Sequence, residues 1–115
     1  MDPEGRRLMH EGLTLAVLLL ASAPVLAAEP DIARQKSLIH LVRQDCGSCH
    51  GLTLRGGLGP ALTAARLKDW TPADLAATII QGRPGTPMPP FKGILDEDEA
   101  HWIARQLLAG FPEGR

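Results

Sequence analysis

Tyrosine is absent from the 115 residues, and the remaining aromatics are two tryptophans and two phenylalanines. So few rings supply little bulk for a core, and a small domain usually needs a staple, a metal or a cofactor. A bulky planar cofactor would stand in for the missing rings. Cysteine is equally scarce, at two residues, which excludes a framework of several disulfides. No sign of charge dominates, and the formal net charge of -1 gives no footprint for nucleic acid. Long hydrophobic runs are missing too. The longest, Leu13 to Ala21, falls short of the ~20 apolar residues that span a bilayer, and Pro24 follows it closely.

That run does fit a targeting segment. Arg6 and Arg7 precede it, and Val25, Leu26, Ala27, Ala28 and Glu29 follow Pro24. A basic start, a short apolar middle and small residues before a polar stretch predict a secretory signal over 1–28, cut after Ala27 or Ala28. An uncleaved anchor is the alternative. Asp2, Glu4 and Glu11 are unusual in such a leader, so translation could begin elsewhere. Residues 29–115 then form one domain outside the cytoplasm, in a bacterial periplasm, where two free thiols would normally oxidise.

Within 29–115 the pattern predicts three main helices and no strand. Asp31 to about Cys46 suits a helix, with Ile32, Ile39, Val42 and Cys46 on one stripe. A second helix runs from Pro72 to Gln81. Thr71 caps it, Pro72 fills its first position and Gly82 ends it. The third opens at Asp96, with Glu99 completing a capping box, and ends near Ala109 before Gly110. Its apolar stripe is Ala100, Ile103, Ala104 and Leu107, which puts Trp102 on the polar side. Two loops separate the helices. Gly51 to Pro60 is glycine-rich, and Gly82 to Gly93 is too rich in proline and glycine for a helix or a central strand.

The chemistry gathers at Asp45-Cys46-Gly47-Ser48-Cys49-His50-Gly51. A redox-active cysteine pair of this spacing ordinarily sits in a βαβ unit, which the pattern lacks. A structural zinc ion wants four ligands, and Cys46, Cys49 and His50 supply three. The third reading uses all of them. Both thiols add to the vinyl groups of haem, and the adjacent histidine ligates the iron. One helical turn presents two sulfurs to one edge of the ring. A second axial ligand closes the iron of an electron carrier. Beyond the leader the chain has one methionine, Met88, in the stiff segment Thr86-Pro87-Met88-Pro89-Pro90. The other readings are a core-filling methionine, or His40 or His101 as ligand, both off the apolar stripes of their helices.

These motifs, in this order, resemble class I cytochrome c: a helix, Cys46 to Gly51, Gly59-Pro60-Ala61-Leu62, a helix, Met88-Pro89 and a last helix. The resemblance covers essentially all of 29–115. It implies an all-α fold with three main helices around one covalently bound haem c. It also implies thioethers at Cys46 and Cys49, His50 and Met88 as iron ligands, a Pro60 carbonyl accepting the other ring N–H of His50, and Leu62 packed on haem. Near Ile39, Val42, Ile103 and Leu107 the first and last helices should cross. Arg83, just before the Met88 loop, is a candidate partner for a haem propionate. One departure is that relatives carry an aromatic where this chain has Gln106. Trp102 then either folds against Phe111 and Pro112 or docks a partner.

More narrowly, the segment from Thr71 to Phe91, with the Cys46–His50 and Leu58–Thr63 regions, is similar to the cytochrome c-55X family. That implies a periplasmic monomer passing single electrons, with no catalytic acid, base or nucleophile of its own. The implied partner is dissimilatory nitrite reductase of the cytochrome cd type, the enzymes that mature its haem d, or another periplasmic acceptor. No nucleic acid and no stable membrane association after signal cleavage are expected.

Overall fold

The computed structural model describes residues 21–23 and 28–112. The predicted signal therefore lies largely outside the described residues. Among those described, no helix is long and apolar enough to cross a membrane.

Helix α1, Ile32–Leu41, starts where Asp31 caps it by accepting the Arg34 N–H at 2.8 Å. The chain then stays helical but loosens into a π turn, Val42–Cys46, before tightening again as α2, Gly47–His50. Single π turns often mark functional sites, and this one ends on Cys46. The helix expected over Asp31–Cys46 is present, but its buried stripe differs. Leu38 and Val42 are fully buried, Ile39 and Cys46 are half-buried, and Ile32 is 70% exposed. Ile32 occupies the first turn, ahead of the part of α1 that the core covers.

Helix α3, Pro72–Gln81, has Thr71 as cap and Pro72 in its first turn. It buries Leu75, Ala76 and Ile79. Helix α4, Glu97–Leu108, carries the full capping box, with Asp96 accepting from the Glu99 N–H and Glu99 from the Asp96 N–H. No strand occurs among the described residues, and the one extended pairing is an isolated bridge between Lys92 and Leu95.

The core gathers Leu38 and Val42 with Leu75, Ala76 and Ile79 of α3 and Ala100, Ile103, Ala104 and Leu107 of α4. Trp102 belongs to it as well, at 3% exposure, which corrects its placement on a polar face. A single-stripe reading assumes that a helix is covered on one side. Helix α4 packs on α3, and residues from outside α3, Leu38, Val42 and Phe111 among them, join the same core, so its buried arc is wider. A ring this buried cannot dock a partner. Phe111 packs against the same core from the tail.

Glu99 is the electrostatic link between the first and last helices. Its hydrogen bond with the Arg34 guanidinium, aided by the Asp96 N–H, holds its carboxyl below the ordinary value of 4.5 despite partial burial. A depressed folded value adds stability above the unfolded one, and that stability is lost as pH falls through the folded value. The melting temperature of Glu99→Gln should therefore lie below that of the parent at neutral pH. The gap should close as pH drops below ~4.5. Thermal melts from pH 7 to pH 3 read this directly, and a gap that stays constant with pH would refute the linkage.

Candidate haem site

The helical run through the π turn and α2 delivers Cys46, Cys49 and His50 one after another. Cys46 is half-buried and packs against the core, whereas Cys49 is exposed, and no disulfide joins them. Burial pushes the Cys46 thiol up to about 11, with the Asp45 charge adding to it. An unattached Cys46 would therefore stay protonated at neutral pH.

The glycine-rich loop folds back over this run. Gly56 donates its N–H to the His50 carbonyl at 2.8 Å, and Gly59 donates to the Cys49 carbonyl at 2.7 Å. The approach is close enough that side chains do not fit. A Cβ on Gly51, whose φ is +88°, would meet the Gly56 carbonyl oxygen at 2.5 Å. One on Gly59 would lie 2.9 Å from two atoms of the His50 ring. Leu54 sits in the same loop at φ 60° yet is 3% exposed. That conformation is uncommon for a side chain this large. Its N–H and carbonyl are both paired, to Gly51 and Leu62, and its burial offsets the strain.

The loop ends by presenting the Pro60 carbonyl oxygen 2.7 Å from His50 Nδ1. A carbonyl can only accept, so Nδ1 donates, and in the neutral ring it is Nε2 that carries the lone pair. Ring orientation and tautomer are thereby set for a ligand, which is what a metal-bound histidine requires of its other nitrogen. Leu62 is half-buried against the core just beyond.

A second segment is held as firmly. After α3 ends at Gly82, the chain turns back on it, and the Phe91 and Lys92 N–H groups pair with the Ile79 and Ile80 carbonyls, both at 3.1 Å. These are among the carbonyls a helix end leaves unpaired. Gly82, with φ +65°, lets the Met88–Pro90 backbone approach, since a Cβ there would meet Pro89 C at 2.7 Å. Arg83 donates its N–H to the Met88 carbonyl at 3.2 Å, and its side chain is exposed. Met88 is half-buried and is not among the side chains packed on the hydrophobic core, so it is no core plug. Of the other histidines beyond the leader, His40 is exposed and His101 half-buried between α3 and α4.

Sequence reasoning placed the cysteines, His50, Pro60 and Met88 in their segments. It did not single out Gly51, Gly59 and Gly82 as contact positions. The signal was the glycine density itself, but only the folded loops show which glycines touch backbone or ring.

A helical fold with a Cys-x-x-Cys-His run and a carbonyl-oriented histidine defines a c-type cytochrome, a class that holds haem covalently and carries electrons rather than catalysing reactions. Comparison with known proteins narrows this. Residues 33–105 match the family described as cytochrome c oxidase, cbb3-type, subunit III. Cytochrome c55X of Pseudomonas aeruginosa is 50% identical over 111 residues, covering 94% of this chain and 93% of the relative. The solved structure of the c-type cytochrome NirC superposes with a TM-score of 0.68 at 54% identity, over 70% of this chain and 94% of that one. Dihydro-heme d1 dehydrogenase of the same bacterium is 36% identical over 101 residues, which span 88% of this chain but 19% of that protein. The chain belongs to the cytochrome c55X family.

Proposed function

We propose that this protein is a periplasmic monohaem cytochrome that donates single electrons to dissimilatory nitrite reductase of the cytochrome cd type. The observation that carries the electron-carrier reading is the His50–Pro60 contact, which engages Nδ1 and leaves Nε2 as the nitrogen available for an iron. The residues fit the group. Cys46 and Cys49 would hold one haem by thioethers, within a domain whose main helices are α1, α3 and α4. His50 and Met88 would ligate its iron, Leu62 would pack against it, and exposed Arg83 would pair with a propionate. Bound haem supplies a one-electron iron couple, and the protein sets its potential, access and docking.

The chain's own residues do the rest. Pro60 keeps the His50 ring from rotating and raises its basicity. The prolines around Met88 limit the conformations its loop can reach, so a thioether is held at little entropic cost. A ligand pair retained in both oxidation states leaves little to rearrange on transfer. Residues 1–28 act as the export signal, and 29–115 are the working protein, a monomer without nucleic-acid or stable membrane association.

A second reading has its own support. Dihydro-heme d1 dehydrogenase contains, in a fifth of its length, a segment similar to this whole domain. A protein built like that segment could serve as a separate redox helper for enzymes that mature haem d.

The test is anaerobic stopped-flow mixing of the reduced protein with oxidised cytochrome cd nitrite reductase, following haem c reoxidation. Fast transfer that sustains nitrite turnover is the expected result. Slow transfer with a normal His/Met spectrum would overturn the nitrite-reductase assignment. It would direct the search to the maturation enzymes.

A further inference from the structure

Arg43 lies inside the π turn, three residues before Cys46, and the electron-transfer centre just described makes no use of it. Its guanidinium reaches two separate segments, the C-terminal tail and the turn after His50. Nη2 donates to the Pro112 carbonyl at 2.8 Å. The cation stands over the Phe111 ring, 5.3 Å from its centroid. Nη1 makes a longer contact, 3.4 Å, with the Leu52 carbonyl. Nε is buried and has no partner among the described residues.

The unpaired Nε indicates why arginine stands here. If the position only packed against Phe111, a methionine or leucine would do so without burying an unsatisfied N–H. A rigid fork of donors is needed only to reach two carbonyls at once. The tail has few other attachments. No backbone-to-backbone hydrogen bond of Phe111 or Pro112 occurs among the described residues. The Leu52 carbonyl lies in the turn directly after His50, which is closed by the Leu54 N–H donating to Gly51 at 2.8 Å. From that turn the loop runs to the Gly56, Gly59 and Pro60 contacts on the Cys49–His50 run.

We propose that Arg43 is a positioning residue of the haem centre. It pins the turn after His50 and the C-terminal tail to the helical segment that carries Cys46. In doing so it keeps the Gly51–Pro60 loop seated against the His50 ring. Its significance for electron transfer rests on His50 being the iron ligand, but the clamp itself is a property of the loop and can be read without redox chemistry.

The experiment is amide hydrogen exchange on the haem-loaded protein, its Arg43→Met and Arg43→Lys variants, and a chain ending at Gly110. In Arg43→Met the Gly56 and Gly59 amides should exchange about tenfold faster, while those of Ile103 and Ala104 in α4 stay unchanged. Arg43→Lys, which reaches one carbonyl but not two, should fall between. The chain ending at Gly110 should resemble Arg43→Met in part, because it removes the ring and the stronger acceptor together. Unchanged Gly56 and Gly59 amides would overturn the proposal. So would equal acceleration of loop and α4 amides, which would mark a general loss of stability. If Arg43→Met does not accumulate, the lysine variant and the shortened chain decide by the same comparison. Failure of the haem reading is distinguishable, since it would appear as missing haem absorbance in the parent.

Discussion

Gly51→Ala should destabilise the protein by on the order of 3 kcal/mol. Two effects act together. At φ +88° a side chain is strained, and the new Cβ would lie 2.5 Å from the Gly56 carbonyl oxygen. Neither partner can step aside cheaply. The Gly56 N–H is bonded to the His50 carbonyl, so moving Gly56 pulls on the residue that carries the imidazole. Gly85→Ala is the control. It has φ +78° but nothing within 4 Å of its new Cβ, so only the conformational part remains, about 1 kcal/mol. Guanidinium unfolding of both variants gives the comparison. Equal costs would mean that the loop yields freely and that its packing does not constrain His50.

Met88→Leu should leave the fold intact while changing the iron. The side chains have similar volume, and such swaps usually cost less than ~1.5 kcal/mol. Met88 also lies outside the core, which limits the cost further. Leucine has no lone pair to offer, so under the proposed Met88 ligation the sixth position would open. Two results are expected. The reduced variant binds carbon monoxide at neutral pH, whereas the parent does not. Its reduction potential falls by on the order of 0.1 V or more, within the roughly 0.8 V that axial ligands span. A variant that keeps its potential and excludes carbon monoxide would show that another group closes the iron. His101, half-buried between α3 and α4, would then be the first residue to test.

Much of this was legible in the linear chain because the signals are local. The Thr71-Pro72 start of α3, its stop at Gly82 and the Asp96–Glu99 capping box depend on residues within one turn of each other, and the helices begin and end there. The Cys-x-x-Cys-His run is equally local. Burial was less legible. Ile32 reads as a core residue by periodicity but stands 70% exposed, and Trp102 reads as a surface residue but is 3% exposed. Periodicity reports one preferred face. It cannot report how far along a helix the neighbours extend, or which segments besides α3 join α4 in the core.

Sequence alone determined the class of chemistry: two thiols one turn apart, a histidine beside them and one methionine in a proline-stiffened loop. Such identities and spacings are written in the chain itself. Tertiary structure decided which atoms are free to act. It brought Pro60 to His50 Nδ1, which makes Nδ1 the donor of that contact and leaves Nε2 available to a metal. It also pressed the glycine loop onto the Cys49–His50 backbone and brought Arg43 across to the tail. Contacts between residues ten to seventy positions apart depend on how loops close in space, and no local pattern encodes that closure.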